Sequence, residues 1–211
     1  VIVWKDSRSG TDIYGQHLNT AFNLTEPQAG LLLNGTEQQT VSWTSYVSDN
    51  IYDHFRISIS AQPGDGYPIS AADNIPPSAS TASWNCSTVS SDSARLRLEA
   101  VNGRDAAVAF FYSDYFKIDS DPPHAFDLVE PRHDSGTGLL PEFVWGASGD
   151  DFSGLEHYTL YIDETVAGNS LTDTTWTPAD SLSEGVHSWR VEAVDSAGIV
   201  RTSSLFTFSA S

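Results

Sequence analysis

The stretch Arg95–Asn102, with the sequence RLRLEAVN, decides the fold class. Its apolar residues Leu96, Leu98 and Ala100 fall on alternate positions, and charged residues lie between them. This period of two is that of a β-strand with one buried face and one exposed face. The same pattern recurs at Ser188–Asp195, with the sequence SWRVEAVD. The sequence therefore predicts a long strand that the chain contains twice.

The segments before this strand recur as well. Val41–Trp43 (VSW) matches Phe143–Trp145 (FVW), and an acid-His-aromatic sequence follows each, at Asp53–Phe55 and Glu156–Tyr158. The two halves end on the similar segments Phe116–Asp119 and Phe206–Ser209. A period of roughly 90–100 residues is too long for a solenoid repeat and fits duplication of a whole domain. We expect both Trp43 and Trp145 to be core residues.

The boundary between the two halves is the segment Asp119–Pro123, with the sequence DSDPP. Its two prolines have no N–H group to donate and restrict the backbone, so the segment cannot continue a strand ladder. Several short strands in each half are typical of a β-sandwich. We predict an all-β fold with one sandwich at residues 26–120, a second at residues 121–211, and a separate segment at residues 1–25.

The second half carries a family resemblance in four segments. These are Asp121–Pro123, Phe143–Trp145, Asp150–Leu155 (DDFSGL) and His187–Gly198 (HSWRVEAVDSAG). Together they resemble the tandem fibronectin-III/Ig-like repeats of prokaryotic surface and secreted proteins, and the first half resembles them more loosely. The resemblance implies two tandem Ig/fibronectin-III-like β-sandwiches. It also implies the roles of such repeats, which are mainly spacers, adhesive modules or accessory domains of larger proteins.

Residues 1–25 do not belong to the duplication. Val1–Gly15 contains two strand-like stretches around an Asp-x-Arg-x-Gly turn, and it is similar to one hairpin of a TolB-like β-propeller repeat. The resemblance implies a longer parent protein with a propeller upstream. Alternatively, the hairpin packs on the first sandwich or pairs with a strand edge of a neighbouring molecule. Trp4, Ile13 and Tyr14 are its candidate interaction residues.

The charge of the chain restricts its partners. It has 28 acidic and 10 basic residues, for a formal net charge of −18. Such a surface repels phosphate backbones and anionic lipid, so we expect no nucleic acid partner. No apolar run is long enough to span a bilayer, so we expect no membrane insertion. We expect an extracellular or cell-surface location, and a mature product or fragment whose export signal lies elsewhere.

Acidic residues at two places are candidate ligands for a metal ion. Asp119 and Asp121 lie in the predicted junction, and Asp150 and Asp151 lie in a predicted turn of the second half. Clustered carboxylates near domain junctions suit Ca²⁺, and a bound cation would stiffen the tandem. Neither segment matches an EF-hand loop, and ordinary loop residues are the alternative. We expect no cofactor other than a structural calcium ion.

Motifs for catalysis are missing from the sequence. Cys86 is the only cysteine, which excludes an internal disulfide and a cysteine-based metal site. No zinc-binding histidine spacing, Walker loop or dinucleotide fingerprint occurs, and Gly146–Asp150 lacks the last glycine of a nucleophile elbow. A Ser-His-Asp triad is not excluded by counting, since all three residue types are abundant. We predict that the chain is not an enzyme.

Exposed aromatic residues are the candidates for a contact surface. The run Phe110–Tyr115 (FFYSDY) is apolar on both faces, so one face can pack against a partner. We single out Tyr112 and Tyr115 in this run, and Tyr67 in a glycine-rich turn region.

Three sequons are candidate glycosylation sites, at Asn23, Asn34 and Asn85. In a chain rich in serine and threonine such triplets also arise by chance.

These features favour a non-catalytic extracellular structural or adhesive module. It would space or assemble a cell-surface or secreted protein, and it could self-associate through its N-terminal segment. The alternative is a carbohydrate-binding accessory region of a larger secreted enzyme or propeller protein. The expected partner is accordingly a protein, either another copy or the parent surface protein, or a glycan.

Overall fold

The computed structural model describes residues 22–45, 52–86 and 88–211. These residues form 18 β-strands and contain no helix long and apolar enough to cross a lipid bilayer. The chain divides into two compact units between Ile118 and Asp119. The sequence placed this boundary between residues 120 and 121.

The described residues of the first unit form two sheets. Its strands are β1 Phe22–Glu26, β2 Leu32–Asn34, β3 Gln38–Ser45, β4 His54–Ser60, β5 Ile69–Ile75, β6 Thr81–Asn85, β7 Ser91–Val101, β8 Ala107–Tyr112 and β9 Phe116–Asp119. One sheet has the order β1-β3-β6, and the other has the order β2-β9-β7-β4-β5 with β8 also paired to β7. The long strand expected from RLRLEAVN is β7, at the centre of the second sheet.

The second unit repeats this topology. Its strands are β10 Leu128–Glu130, β11 Ser135–Thr137, β12 Phe143–Trp145, β13 Leu155–Ile162, β14 Thr165–Leu171, β15 Thr175–Trp176, β16 Gly185–Asp195, β17 Val200–Thr202 and β18 Phe206–Ala210. The sheet orders are β10-β12-β15 and β11-β18-β16-β13-β14, with β17 paired to β16. The predicted fold class, two tandem Ig/fibronectin-III-like β-sandwiches, is confirmed.

Alternating apolar residues of β7 and β16 line the core of each unit. In β7 the buried side chains include Leu96, Leu98 and Ala100, and each is at most 1% exposed. In β16 Trp189 and Val191 take the corresponding places and are equally buried. Burial of one face of a strand is the reason for the period of two in the sequence.

Trp43 and Trp145 occupy equivalent places in the two cores. Each is 2% exposed. Trp43 packs edge-to-face on Phe55 with ring centroids 5.4 Å apart, and Trp145 packs in the same way on Tyr158 at 5.6 Å. The prediction that both are core residues is confirmed, and the equivalent aromatic pairs show why each half of the sequence has a tryptophan there.

The N-terminal segment is described only from residue 22 onward. Its candidate interaction residues Trp4, Ile13 and Tyr14 lie outside the described residues and remain predictions. Strand β1 pairs with β3, with Leu24 opposite Trp43. The start predicted for the first sandwich, residue 26, therefore falls at the last residue of a strand that belongs to its sheet.

Candidate metal centre and contact surface

Three carboxylates converge in the second unit. Asp119 is the last residue of β9 and the first of this unit, Asp150 lies in the loop between β12 and β13, and Asp195 ends β16. The oxygens that they offer as ligands all lie within 4.8 Å of one another. Asp119 and Asp195 are 0% exposed, and Asp150 is half-buried. We call these three residues the carboxylate cluster.

Asp150 is held by the turn that follows it. Its Oδ1 accepts the backbone N–H groups of Phe152 at 2.9 Å, Ser153 at 2.7 Å and Gly154 at 3.1 Å. Burial acts to raise the pKa of Asp150, but these N–H donors and a side-chain contact with Asp119 outweigh it, and the pKa lies below its ordinary value. Asp150 is therefore ionised at neutral pH and fixed in orientation.

Asp195 caps the loop between β16 and β17. Its Oδ1 accepts the backbone N–H groups of Ala197 and Ile199, both at 2.9 Å. Burial raises the pKa of Asp195 above its ordinary value, and the negative charges of Asp119 and Asp150 act in the same direction. The environment therefore opposes the negative charge of this side chain.

The second oxygens of the two fully buried carboxylates have no protein donor. Asp119 uses Oδ1 to accept the backbone N–H of Asp121 at 3.0 Å. Its Oδ2 and the Oδ2 of Asp195 are buried without a hydrogen-bond partner. Buried polar atoms are almost always satisfied, so each such oxygen needs a physical explanation.

The structure brings together two of the four acidic residues singled out as calcium ligands. Asp119 and Asp150 belong to the carboxylate cluster. Asp121 is exposed, and its backbone N–H donates to Oδ1 of Asp119. Asp151 points to His124 instead, with its Oδ2 3.4 Å from Nε2 and its side chain 78% exposed.

Asp195 is the functional candidate that sequence reasoning missed. It ends the predicted strand SWRVEAVD, and nothing in its spacing places it near residue 119 or 150. One signal was present, because the duplication aligns it with Asn102. The first repeat has a neutral side chain at this position and the second has a carboxylate. The loop that the two repeats share therefore does not require the negative charge.

A second candidate site is an exposed face of the first unit. Aromatic rings and two arginines alternate on it, and we call it the aromatic–arginine face. Its members are Tyr67, Arg95, Arg97, Phe110, Tyr112 and Tyr115. It contains all three tyrosines that the sequence had singled out within the described residues.

Arg95 joins the two tyrosines near the end of β8. Its guanidinium carbon lies 4.9 Å from the ring centroid of Tyr112 and 5.1 Å from that of Tyr115. Its Nε donates to the backbone oxygen of Ser113 at 2.8 Å, which fixes the guanidinium between the rings. Tyr112 and Tyr115 remain 46% and 47% exposed.

Arg97, two residues further along β7, also lies over two aromatic rings. Its guanidinium carbon lies 4.6 Å from the ring of Tyr67 and 5.3 Å from that of Phe110, and its Nη2 forms an ion pair with Glu99. The rings of Tyr67 and Tyr112 lie 5.5 Å apart, so the two arginine-centred groups form one continuous surface.

A Ser-His-Asp arrangement occurs in the second unit. The Nδ1 of His187 lies 2.6 Å from Oδ2 of Asp163, and its Nε2 lies 3.5 Å from Oγ of Ser183. However, Nε2 also lies 2.9 Å from the backbone oxygen of Ser183. A carbonyl oxygen only accepts, so Nε2 carries a hydrogen and donates it there.

The protonation of His187 does not fit a catalytic triad. Both ring nitrogens face acceptors. The hydrogen bond with Asp163, and then that with the Ser183 carbonyl, raise the pKa of the imidazole above its ordinary value. A protonated imidazole cannot take the proton of the Ser183 hydroxyl, which a general base must do. The arrangement instead ties the β13–β14 turn to the start of β16.

Cys86 is also unsuited to nucleophilic chemistry. The side chain is 2% exposed, and burial raises the pKa of its thiol to about 11. The nucleophilic form of cysteine is the thiolate, which is nearly absent at neutral pH at such a pKa.

The candidate glycosylation sites lie on the first unit. Asn23 in β1 and Asn85 in β6 are exposed, and Asn34 at the end of β2 is half-buried. The Oδ1 of Asn34 accepts the backbone N–H of Thr36 at 2.9 Å and its hydroxyl at 2.6 Å. Glycosylation at the three positions stays a prediction.

Comparisons with known proteins find similar solved structures but no family. No protein-family model matches the chain, and no curated protein matches it. Among solved structures, the fibronectin(III)-like modules of Clostridium thermocellum CbhA are similar at 15% identity and a TM-score of 0.44, with 90% of this chain and 92% of that chain covered.

Two chicken proteins are similar in the same way. A two-domain fibronectin type III segment of tenascin has 10% identity and a TM-score of 0.35, with 88% of this chain and 94% of that chain covered. The FN1–FN3 domains of CNTN1 have 11% identity and a TM-score of 0.43, with 87% of this chain and 66% of that chain covered.

Proposed function

We propose that the chain is a non-catalytic structural or adhesive module of a secreted or cell-surface protein, and that the aromatic–arginine face is its contact surface. This face is the observation that carries the proposal. Tyrosine and arginine are enriched at protein contact sites and dominate their binding energy. Here the arginines hold the rings in place before any partner arrives, which reduces the entropy lost on contact.

The hydrogen bonds and burial of the potential catalytic groups support a non-catalytic role. His187 donates through both ring nitrogens, and Cys86 is buried with a raised pKa. A hydrolase built on Ser183 would need a neutral imidazole with a free acceptor nitrogen. If the purified chain hydrolysed chromogenic esters and Ser183→Ala abolished that turnover, the non-catalytic proposal would be wrong.

The charge of the chain supports a module that does not bind nucleic acid. The net charge of −18 favours solubility and discourages nucleic-acid binding.

The parent protein that we infer has a propeller-like region before residue 25, and the N-terminal segment is a second candidate for self-association. Light scattering of the native chain with and without residues 1–20 tests this, since an unchanged mass and melting temperature would remove the N-terminal segment from the proposal.

Adhesion is tested with beads coated with the full chain. We expect coated beads to cluster at about 0.15 M salt, where the Debye length of about 8 Å screens the repulsion between acidic surfaces. The double substitution Tyr112→Ser/Tyr115→Ser should reduce clustering about tenfold, because half-exposed aromatic anchors carry much of a contact's energy.

The matched control is Tyr161→Ser, which removes a tyrosine stacked on Arg190 at 3.9 Å in the second unit. It should leave bead clustering unchanged. Clustering that survives loss of Tyr112 and Tyr115, or that fails equally in the control, would show that the aromatic–arginine face is not the contact surface.

The alternative function is carbohydrate binding by the same face. It is favoured by the exposure of Phe110, Tyr112 and Tyr115, which leaves between 43% and 47% of each side chain accessible. Flat aromatic rings with polar edges can stack on sugar rings. Depletion of the chain by insoluble cellulose, chitin or xylan, abolished by Tyr112→Ser/Tyr115→Ser and without bead clustering, would favour this alternative.

A further inference from the structure

We propose that Asp119, Asp150 and Asp195 form a Ca²⁺ site in the second sandwich. The aromatic–arginine face belongs to the first unit, and the proposal does not depend on the function of that face. It differs from the expectation drawn from the sequence, because Asp195 takes the place of Asp121 and Asp151.

The burial of the carboxylates is the first argument. Asp119 and Asp195 are 0% exposed, and each has an Oδ2 without a hydrogen-bond partner. A buried, unpaired carboxylate carries a large desolvation cost, and close neighbours of the same charge add to it. A cation would satisfy both orphan oxygens and offset the repulsion among the three groups.

The duplication of the chain provides an internal comparison. Asn102 is the equivalent of Asp195 in the first unit. Its Oδ1 accepts the backbone N–H groups of Arg104 at 3.0 Å and Ala106 at 3.1 Å, two and four residues further along. Asp195 accepts from Ala197 and Ile199 at the same two offsets. The loop therefore needs one side-chain oxygen and no charge, and the carboxylate of Asp195 requires a separate explanation.

Backbone contacts hold the cluster ready for an ion. Each of the three Oδ1 atoms already accepts at least one backbone N–H, from Asp121 to Asp119, from the turn at residues 152–154 to Asp150, and from residues 197 and 199 to Asp195. Outer hydrogen bonds of this kind orient ligands around metal ions and increase affinity. They leave the Oδ2 atoms of Asp119 and Asp195 for the ion.

The chemistry of the donors selects calcium. Calcium takes about six to eight oxygens at about 2.3–2.6 Å, so opposite ligands in its shell are about 5 Å apart. The observed limit of 4.8 Å fits this shell. The group found among the described residues contains neither histidine nor cysteine, which zinc prefers. Magnesium demands near-ideal octahedral geometry and shorter bonds of about 2.0–2.1 Å, whereas calcium accepts an irregular set of oxygens. Asp150 is only half-buried, so water can supply the remaining ligands of a calcium ion.

The competing explanation is a shared proton. Two carboxyl groups in contact can ionise as a pair that keeps one proton between them. The cluster would then be stable without a metal ion and would have no affinity for calcium at neutral pH. This explanation and the calcium site predict opposite results in a titration.

The test uses the full chain after treatment with a chelator and dialysis. Calcium is titrated in by calorimetry at neutral pH, and thermal unfolding is followed with and without calcium at matched ionic strength. We expect one bound ion per chain. The unfolding transition of the second unit should rise by on the order of 10 °C at a hundredfold excess over the dissociation constant.

The decisive variant is Asp195→Asn, which keeps the loop acceptor that Asn102 provides in the first unit. This variant should fold, and its affinity for calcium should fall at least tenfold. Without calcium its melting temperature should equal or exceed that of the unsubstituted chain, because one repulsive charge is gone. Asp119→Asn should behave in the same way. The matched control is Asp151→Asn, next to the cluster in sequence but exposed, and it should retain both calcium binding and the thermal shift.

Three results would overturn the proposal. The first is no heat of binding and no thermal shift in the unsubstituted chain, which is the outcome for a shared proton. The second is undiminished calcium binding by Asp195→Asn. The third is an equal loss of binding in Asp151→Asn, which would indicate a diffuse effect of the acidic surface.

Discussion

His187 and Asp163 form an ion pair that stabilises the second sandwich. His187 is 8% exposed and donates from Nδ1 to Oδ2 of Asp163 at 2.6 Å. The other oxygen of Asp163 accepts the backbone N–H of Ser188 at 2.9 Å. Burial acts to raise the pKa of Asp163, but the bond from His187 and the N–H of Ser188 lower it below its ordinary value. Folding therefore favours both charged forms.

This pair makes stability depend on pH in a defined direction. The folded pKa of His187 is raised, so its contribution is complete below the unfolded value of about 6.5 and is lost as pH rises through the folded value. The contribution of Asp163 to stability is present above its unfolded pKa of about 3.9 and is lost as pH falls through its folded pKa. The pair contributes most between these limits.

We predict that His187→Gln reduces the free energy of unfolding by about 1 kcal/mol at pH 5.5, because the pair is partly exposed to solvent. The deficit should be smaller at about pH 8.5, because the contribution of the charged imidazole is lost as pH rises through its folded pKa. Urea unfolding at the two pH values measures both differences. His124→Gln is the control, since His124 is 59% exposed, and a deficit that does not change with pH would contradict the prediction.

At the scale of elements, the hairpin of β13 and β14 has an unusual turn. Its strands are joined by Asp163 and Glu164 alone, and both have positive φ, at 49° and 62°. A two-residue turn with this geometry is type I′, which strongly favours Asn-Gly or Asp-Gly. Asp163 matches the preference and is needed by His187. Glu164 pays a steric penalty for its backbone conformation.

We predict that Glu164→Gly raises the free energy of unfolding by about 0.5–1 kcal/mol, because glycine adopts positive φ without steric conflict. The substitution loses the ion pair of Glu164 with Arg190, but at 3.5 Å and 67% exposure of the Glu164 side chain that pair contributes little. Thermal unfolding beside the conservative variant Glu164→Gln checks this. A variant Glu164→Gly no more stable than Glu164→Gln would contradict it.

Strand β14 contains a glycine against which a ring is packed. A Cβ added at Gly168 would lie 3.0 Å from Cδ1 of Leu171 and 3.1 Å from Nε1 of Trp176. We predict that Gly168→Ala lowers the free energy of unfolding by about 1–2 kcal/mol, because crowding forces packed side chains to shift. Gly136→Ala is the control, since nothing lies within 4 Å of a Cβ there. Equal melting temperatures for the two variants would refute the packing argument.

At the scale of the whole molecule, the described residues form two separate hydrophobic cores. Trp43 belongs to the first core and Trp145 to the second. We predict that Trp145→Ala lowers the stability of the second unit by about 3–5 kcal/mol, the usual range for a buried tryptophan. Hydrogen exchange should accelerate in residues 119–211 and remain slow in residues 22–118. The reciprocal variant Trp43→Ala should reverse this, and acceleration in both units by either variant would contradict separate cores.

Local pattern was sufficient for the architecture. The period of two in RLRLEAVN and SWRVEAVD reflects one buried face per strand. Strand β16 follows it throughout. Strand β7 follows it as far as Leu98, beyond which Glu99 and Val101 are buried as well. The repeated VSW and FVW segments predicted equivalent core tryptophans, because a packed aromatic pair constrains the sequence in each copy. The turn Asp163–Glu164 was not predicted, because Glu164 does not carry the usual signal for positive φ.

The sequence by itself therefore determined the fold class, the duplication and the buried tryptophans, since these depend on local patterns and on the match between the two halves. It also singled out Tyr67, Tyr112 and Tyr115, but it did not show that Arg95 and Arg97 join them. Only the tertiary structure decided which acids meet. Asp119, Asp150 and Asp195 are far apart in sequence, and their proximity depends on where a strand end, a loop and a second strand end come together. Charge spacing along a chain does not record such distances, because they are set by the packing of the whole sandwich.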